Sequence, residues 1–128
     1  MRKIKFRAKM TGFQGNVFGT PGNVYQDKDY KHEWFDSIFF QDENGNKCQE
    51  YIDCHTLSEF TGLTDKNGIE IYENDILKSE LGWIFAVKWD NENARFIGSN
   101  NKNQLIYVGR EPKATVIGNI FDNPELLR

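Results

Sequence analysis

Cys48, Cys54 and His55, with His32 upstream, are the side chains of this 128-residue chain best suited by type to ligate a borderline-soft metal ion. A structural zinc site takes four ligands at roughly 2.0–2.3 Å in a tetrahedron, usually from cysteine pairs two to four residues apart on a tight knuckle. Cys48 and Cys54 are instead separated by five residues in a stretch that reads as a strand, where their shared parity puts them on one face about 20 Å apart. Packing is therefore the expected role of both thiols, and no metal or cofactor is expected.

Carboxylates are the next candidates. Asp42-Glu43-Asn44-Gly45 and Asp65-Lys66-Asn67-Gly68 carry calcium-loop residue types, but the calcium-binding helix–loop–helix needs glycine at its sixth position and glutamate at its twelfth, between two helices. Both segments read as hairpin turns. Glu70, Glu73, Asp75 and Glu80 could pair as acid and base, yet no histidine is spaced to share the work, so they are expected to be solvated turn charges. No glycine-rich phosphate loop, no Gly-x-Ser-x-Gly elbow and no Cys/His pair with an orienting acid is present. No catalytic residue is assigned, and the expectation is that the chain is not an enzyme.

Lys3, Lys5, Arg7 and Lys9 form the remaining constellation, alternating with Ile4, Phe6, Ala8 and Met10 as on a half-buried strand. Four cations on one face of a strand, roughly 6.8 Å apart, could track phosphates and are the candidate nucleic-acid contact. Against this, aromatic platforms for bases are missing from that strand's charged face, and lysines on a strand also discourage edge-to-edge aggregation. Trp34, Phe35, Phe39 and Phe40 could stack bases, but strand spacing assigns them to core.

Composition bounds what must position these groups. Length fits one compact domain or two small β lobes, and 38% apolar residues with 14% aromatics suffice for a core. A net charge of −3 argues against bulk electrostatic attachment to nucleic acid, and residues 59–128 hold the whole excess, with eight basic and eleven acidic side chains. All apolar runs are far too short to cross a membrane as a helix, and the basic start develops no signal-peptide core, so the chain reads as soluble and cytoplasmic. Two cysteines are too few for a disulfide framework, which agrees with a reducing compartment.

Taken in order, Lys3–Met10 reads as a strand and 11–31 as a long loop or irregular hairpin, whose short β pieces flank a turn at Gly19-Thr20-Pro21-Gly22. Trp34–Phe40 and Lys47–Cys54 read as a hairpin whose polar return strand covers a sheet edge. Asn67-Gly68 is the preferred pair for a two-residue type I′ turn, and Glu73-Asn74-Asp75 reverses the chain again. Gly82–Trp89 reads as a central strand, Ala94–Ile97, Gln104–Val108 and Thr115–Ile120 as further strands, and Asn123-Pro124-Glu125 as the start of a closing helical turn. The fold class is mainly β, with an N-terminal β region over 1–56 and a second lobe over 57–128.

Three blocks carry a family resemblance: Arg2-Lys3-Ile4-Lys5-Phe6-Arg7-Ala8; Phe60–Gly68 followed by Ile71-Tyr72-Glu73-Asn74-Asp75-Ile76-Leu77; and Val116–Leu127. In that order the chain resembles the YopX family of phage and prophage proteins. The resemblance implies a mainly β protein whose C-terminal half is a small SH3-like barrel, a phage or prophage origin, and no catalytic residue. Asn74 stands where the family more often has glycine, and asparagine tolerates the positive φ such a turn needs. The expected function is a small cytoplasmic protein-interaction module that self-associates and binds a host or phage protein. The alternative is a nucleic-acid-binding accessory protein using Lys3, Lys5, Arg7 and Lys9.

Overall fold

A computed structural model describes residues 3–24, 35–102, 104–108 and 113–127. Tyr25, the rest of the expected loop after it, His32 and the expected strand start at Trp34 lie outside the described residues. Among the described residues eleven strands are present: β1 Phe6–Lys9, β2 Asn16–Gly22, β3 Ser37–Gln41, β4 Lys47–Tyr51, β5 Ser58–Thr64, β6 Glu70–Tyr72, β7 Asp75–Lys78, β8 Ile84–Asp90, β9 Arg95–Ser99, β10 Leu105–Tyr107 and β11 Thr115–Asn119. Helical structure among the described residues is confined to short 3₁₀ turns, of which Cys54–Thr56 and Pro124–Leu127 matter here. All pairings are antiparallel, and the chain divides into two compact units at Glu59/Phe60.

In the N-terminal unit the strands run in the order β4-β3-β2-β1-β5. Ala8 opposite Val17 sets the register of β1 on β2, and Ile38 opposite Pro21 sets that of β3. One sheet face therefore collects Ala8, Val17, Ile38 and Ile52, with Met10, Phe40 and Leu57 packed against them. Burying side chains of this size contributes roughly 1.5–3 kcal/mol each for the larger aliphatics. The expected hairpin of β3 and β4 is present, from Gln41 opposite Lys47 to Ser37 opposite Tyr51, and β4 ends the sheet as its polar sequence implied.

Two expectations fail here. Gly19-Thr20-Pro21-Gly22 is not a turn but the second half of β2, because β2 changes partner along its length: Asn16–Gly19 pair with β1, and Thr20–Gly22 with β3. Pro21, which has no N–H, lies past the last β1 pair, where β2 has no donor to supply on that side. Gly19 is needed because a Cβ there would fall on the Phe39 carbonyl oxygen and within 3.0 Å of Ile38 Cγ2. The second failure concerns β1, which starts at Phe6, leaves Lys3 and Lys5 before the strand, and is flanked by β2 and β5. Its lysines do not guard an edge.

In the C-terminal unit the order is β10-β9-β8-β7-β11, with β6 paired to the second half of β5. The predicted central strand is β8, and its apolar face is buried in the middle at Phe85 and Val87 and open at its ends, where Trp83 is 48% and Trp89 38% exposed. Ile71, Leu77, Val87, Val108 and Ala114 form the core. The five-stranded sheet does not close into a barrel: β10 pairs at only three positions, and the pairing of β11 with β7 shifts register between Val116 and Gly118.

The hairpins reuse one device. Asp65 donates its N–H to the Ile69 carbonyl at 2.8 Å and accepts from Gly68 N–H at 3.0 Å, while its Oδ1 accepts from Asn67 and Ile69 N–H. Asp42 repeats this with Asn44, Gly45 and Asn46, and Ser79 with Gly82 and Trp83. These are three-residue loops ending in a left-handed glycine, at φ 81° for Gly45, 80° for Gly68 and 88° for Gly82. The type I′ expectation at Asn67-Gly68 is thereby corrected: Asn67 keeps negative φ, because the aspartate side chain holds the turn in the conformation that points both amides at Oδ1.

Candidate functional site

The acidic residues of the C-terminal unit do not converge. Asp75 is fully buried, against the expectation of a solvated charge, and its Oδ2 accepts the Tyr72 N–H at 2.8 Å, fixing the reversal in which Asn74 takes φ 73°. Glu80 is exposed and pairs with Lys113 at 3.6 Å, and Glu70 accepts from the Tyr72 hydroxyl at 3.3 Å. Asp65 is 6% exposed. Burial raises the pKa of its carboxyl, but hydrogen bonds from Val116, Ile69 and Asn67 N–H and the nearby Lys66 ammonium outweigh it and hold the group below the usual range. Such a carboxylate has its lone pairs committed to backbone and is poorly placed to take up a proton or a cation.

Among the described residues, three potential metal ligands do meet, though not the four side chains singled out by type in the sequence. Asp53, Cys54 and His55 bring their donor atoms within 4.8 Å of one another. Cys48 is not one of them: it lies on β4, its thiol 3.5 Å from the Asn46 carbonyl, whereas Cys54 sits in a 3₁₀ turn and not on the predicted strand. Asp53 caps that turn, one carboxylate oxygen accepting from His55 N–H at 3.2 Å. The missed signal was the consecutive Asp-Cys-His itself. Three donors, two of them on exposed residues, fall short of the four a closed zinc site takes.

The C-terminal unit also has a cleft of about 250 Å³ lined by Trp83, Asn100, Lys102, Gln104, Leu126 and Leu127 among others. Its amides are largely consumed internally, since Asn100 bonds Ile84, Lys102 and Gln104 and Asn101 bonds the Leu127 carbonyl.

The basic constellation is the one the fold develops. Lys9 is tied down by its backbone, its N–H donating to Thr56 Oγ1 at 2.9 Å and its carbonyl accepting from Asp53 N–H. Arg7 stands opposite Phe18, and Lys5 Nζ lies 6.0 Å from the Phe18 ring centroid. The aromatic partner missing from β1 itself is supplied by its neighbours: Phe18 from β2 and Phe39 from β3 occupy the face that carries Arg7. Phe18 falls in the stretch expected to be a long loop or irregular hairpin, because the strand character of β2 was hidden by its glycines.

The fold is thus a two-unit antiparallel β protein whose polar residues chiefly hold turns. The chain belongs to the YopX family: the family described as YopX protein matches residues 5–128. It is similar in structure to the crystal structure of protein EF1440 from Enterococcus faecalis, with a TM-score of 0.58 and 26% identity over 100% of both chains. No curated protein matches the chain.

Proposed function

We propose that this YopX-family chain is a small non-enzymatic protein-interaction module of phage or prophage origin, working in the bacterial cytoplasm, which self-associates through its C-terminal, SH3-like half. The observation that carries the reading is β10. Among the described residues this strand ends the five-stranded sheet, paired with β9, and presents Leu105 at 64% and Tyr107 at 42% exposure. A short, exposed apolar strand at the end of a sheet is a template for adding a strand from a second chain. Arg95 lies 4.1 Å from the Tyr107 ring centroid, adding an Arg–aromatic pair of the kind enriched in protein interfaces.

Sedimentation velocity of the full chain across a hundredfold concentration range tests this. The expected result is a reversible dimer that Leu105→Lys with Tyr107→Lys abolishes while the thermal transition stays cooperative. A chain that remains monomeric throughout and captures no partner from infected-cell lysate overturns it.

A further inference from the structure

We infer that the cleft lined by Trp83, Lys102, Gln104, Leu126 and Leu127 binds a small monocarboxylate with a flat apolar body, the body lying against Trp83 and the leucines and the acid group meeting Lys102 and Gln104. The inference stands apart from strand addition at β10, since Leu105 and Tyr107 take no part in the lining.

Three stretches of the C-terminal unit build the cleft, and hydrogen bonds tie them into one frame. Trp83 closes the loop between β7 and β8: its N–H donates to Ser79 Oγ at 3.0 Å, and its carbonyl accepts the Ser79 N–H at 2.8 Å. The indole is thereby set just ahead of β8, 6.4 Å from the Phe85 ring and still half open to solvent. Asn100 commits its whole side chain to the frame. Its Nδ2 donates to the Ile84 carbonyl at 3.2 Å and to Gln104 Oε1 at 2.8 Å, and its Oδ1 accepts the Lys102 and Gln104 N–H groups. Asn101 Nδ2 then donates to the Leu127 carbonyl at 3.0 Å and latches the closing 3₁₀ turn beside them. A cleft held at these points is formed before a ligand arrives, so binding carries little cost of ordering it.

What the frame leaves over selects the ligand. Because Asn100 takes Gln104 Oε1, the two N–H donors of the Gln104 amide are left for another acceptor. Among the described residues no hydrogen bond or ion pair takes up those donors, the Lys102 ammonium or the Trp83 indole N–H. The described lining is therefore rich in donors, with one positive charge and no carboxylate, in a chain that carries −3 overall. Glu80, close by in sequence, pairs instead with Lys113 at 3.6 Å. One ammonium and one amide match a single negative charge, and suit the two oxygens of a carboxylate better than a phosphate dianion. The rest of the wall is the Trp83 ring with Ile84, Leu126 and Leu127, a surface for an apolar body. Size sets the limit. A volume of about 250 Å³ is the room of roughly eight waters and lies below the roughly 300–1,000 Å³ of pockets for drug-sized ligands, so one ring with a short acid arm fills it.

Titration of the full ¹⁵N-labelled chain with 3-phenylpropionate, its neutral amide and propionate tests the inference, read at the Trp83 indole N–H signal that Trp83→Phe removes. The expected result is a saturable shift with 3-phenylpropionate, with a Kd on the order of 0.1–1 mM for a ligand of this size. The amide should bind roughly five- to tenfold more weakly, because it lacks the charge that Lys102 meets, and propionate should not saturate. Lys102→Gln should bring the acid down to the level of the amide and leave the amide unchanged. Gln104→Glu is the sharper variant: it keeps the oxygen that Asn100 holds and replaces the donors with a negative charge, so acid binding should fall at least about tenfold. Thermal melts of both variants check that the frame is kept. No saturable shift up to about 20 mM overturns the inference, as does equal affinity for acid and amide, or acid binding indifferent to both substitutions. Binding of an acetylated peptide ending in a phenylalanine carboxylate more than about tenfold tighter than the free acid would overturn it too, by assigning the cleft to the C-terminus of a protein.

Discussion

Asp65 Oδ2 accepts the backbone N–H of Val116 at 3.0 Å across 51 residues of sequence, while Oδ1 of the same carboxylate accepts Asn67 and Ile69. One side chain thus closes the β5–β6 loop and anchors β11, next to the Lys66 N–H that donates to the Ala114 carbonyl at 3.3 Å. Asp65→Asn keeps one acceptor but turns an amide N–H toward Val116 N–H. A loss of about 1–3 kcal/mol in urea unfolding is expected, and Asp65→Ala should cost at least as much.

The same residue sets an acid limb. Its pKa is below the ordinary 3.8 in the folded chain, so it binds its proton more readily when unfolded. The stability it contributes is complete above that ordinary value and is lost as pH falls through the folded one. The melting temperature should drop below about pH 4 in the parent, and by visibly less in Asp65→Asn. Part of the limb should remain, because Asp42 and Asp90 are lowered too: Asp42 by the Asn46 N–H with help from the Asn46 side chain and Asn44 N–H, Asp90 by the Asn93 amide, Glu92 N–H and Arg95, each against a smaller desolvation. An identical acid limb in the variant would remove Asp65 from this account.

Gly68 separates strain from space. Nothing lies within 4 Å of a Cβ placed there, so the cost of a side chain comes only from φ 80°. Gly68→Val should lose about 1–2 kcal/mol and Gly68→Asn much less. At Gly19 the obstacle is the neighbouring strand itself, and Gly19→Ala should cost more than Gly68→Ala by unfolding midpoint. The reverse order would mean that β2 and β3 do not approach as closely as drawn.

How far these features could be read from sequence depended on the range of the interaction. The turns at Asp42 and Asp65 were legible because Asp at the first position and Gly at the fourth act within five residues; even there, side-chain capture by Asp65 replaced the type I′ geometry that Asn67-Gly68 favours in isolation. The alternation in Phe6–Lys9 and in β8 was legible for the same local reason. What could not be read was partnership. Gly19-Thr20-Pro21-Gly22 is turn text that becomes strand only because β1 pairs with Gly19 and β3 with the three residues after it, and Asp75 is a turn acid that is buried where it accepts the Tyr72 N–H. The shared face of Phe18 and Phe39 was invisible for that reason: it exists in the register of two strands and in neither of their sequences.

Ala94 is the place where the chain carries a local cost that can be removed. It adopts φ 52° just after the β8–β9 turn, in which Asp90 bonds Glu92 N–H and the Asn93 amide, and just before Arg95, whose guanidinium meets the same carboxylate at 3.4 Å. An L-residue with a Cβ pays about 1 kcal/mol for left-handed backbone, and Asn74, at φ 73°, pays less because its short polar side chain suits that region. Ala94→Gly should therefore stabilise by roughly 0.5–1 kcal/mol, even after the extra freedom glycine gives the unfolded chain. Asn74→Gly should be close to neutral. The two midpoints, measured side by side in urea, separate the case: if Ala94→Gly destabilises, the backbone at 94 is not left-handed in solution, and the turn drawn around Asp90 must be of another kind.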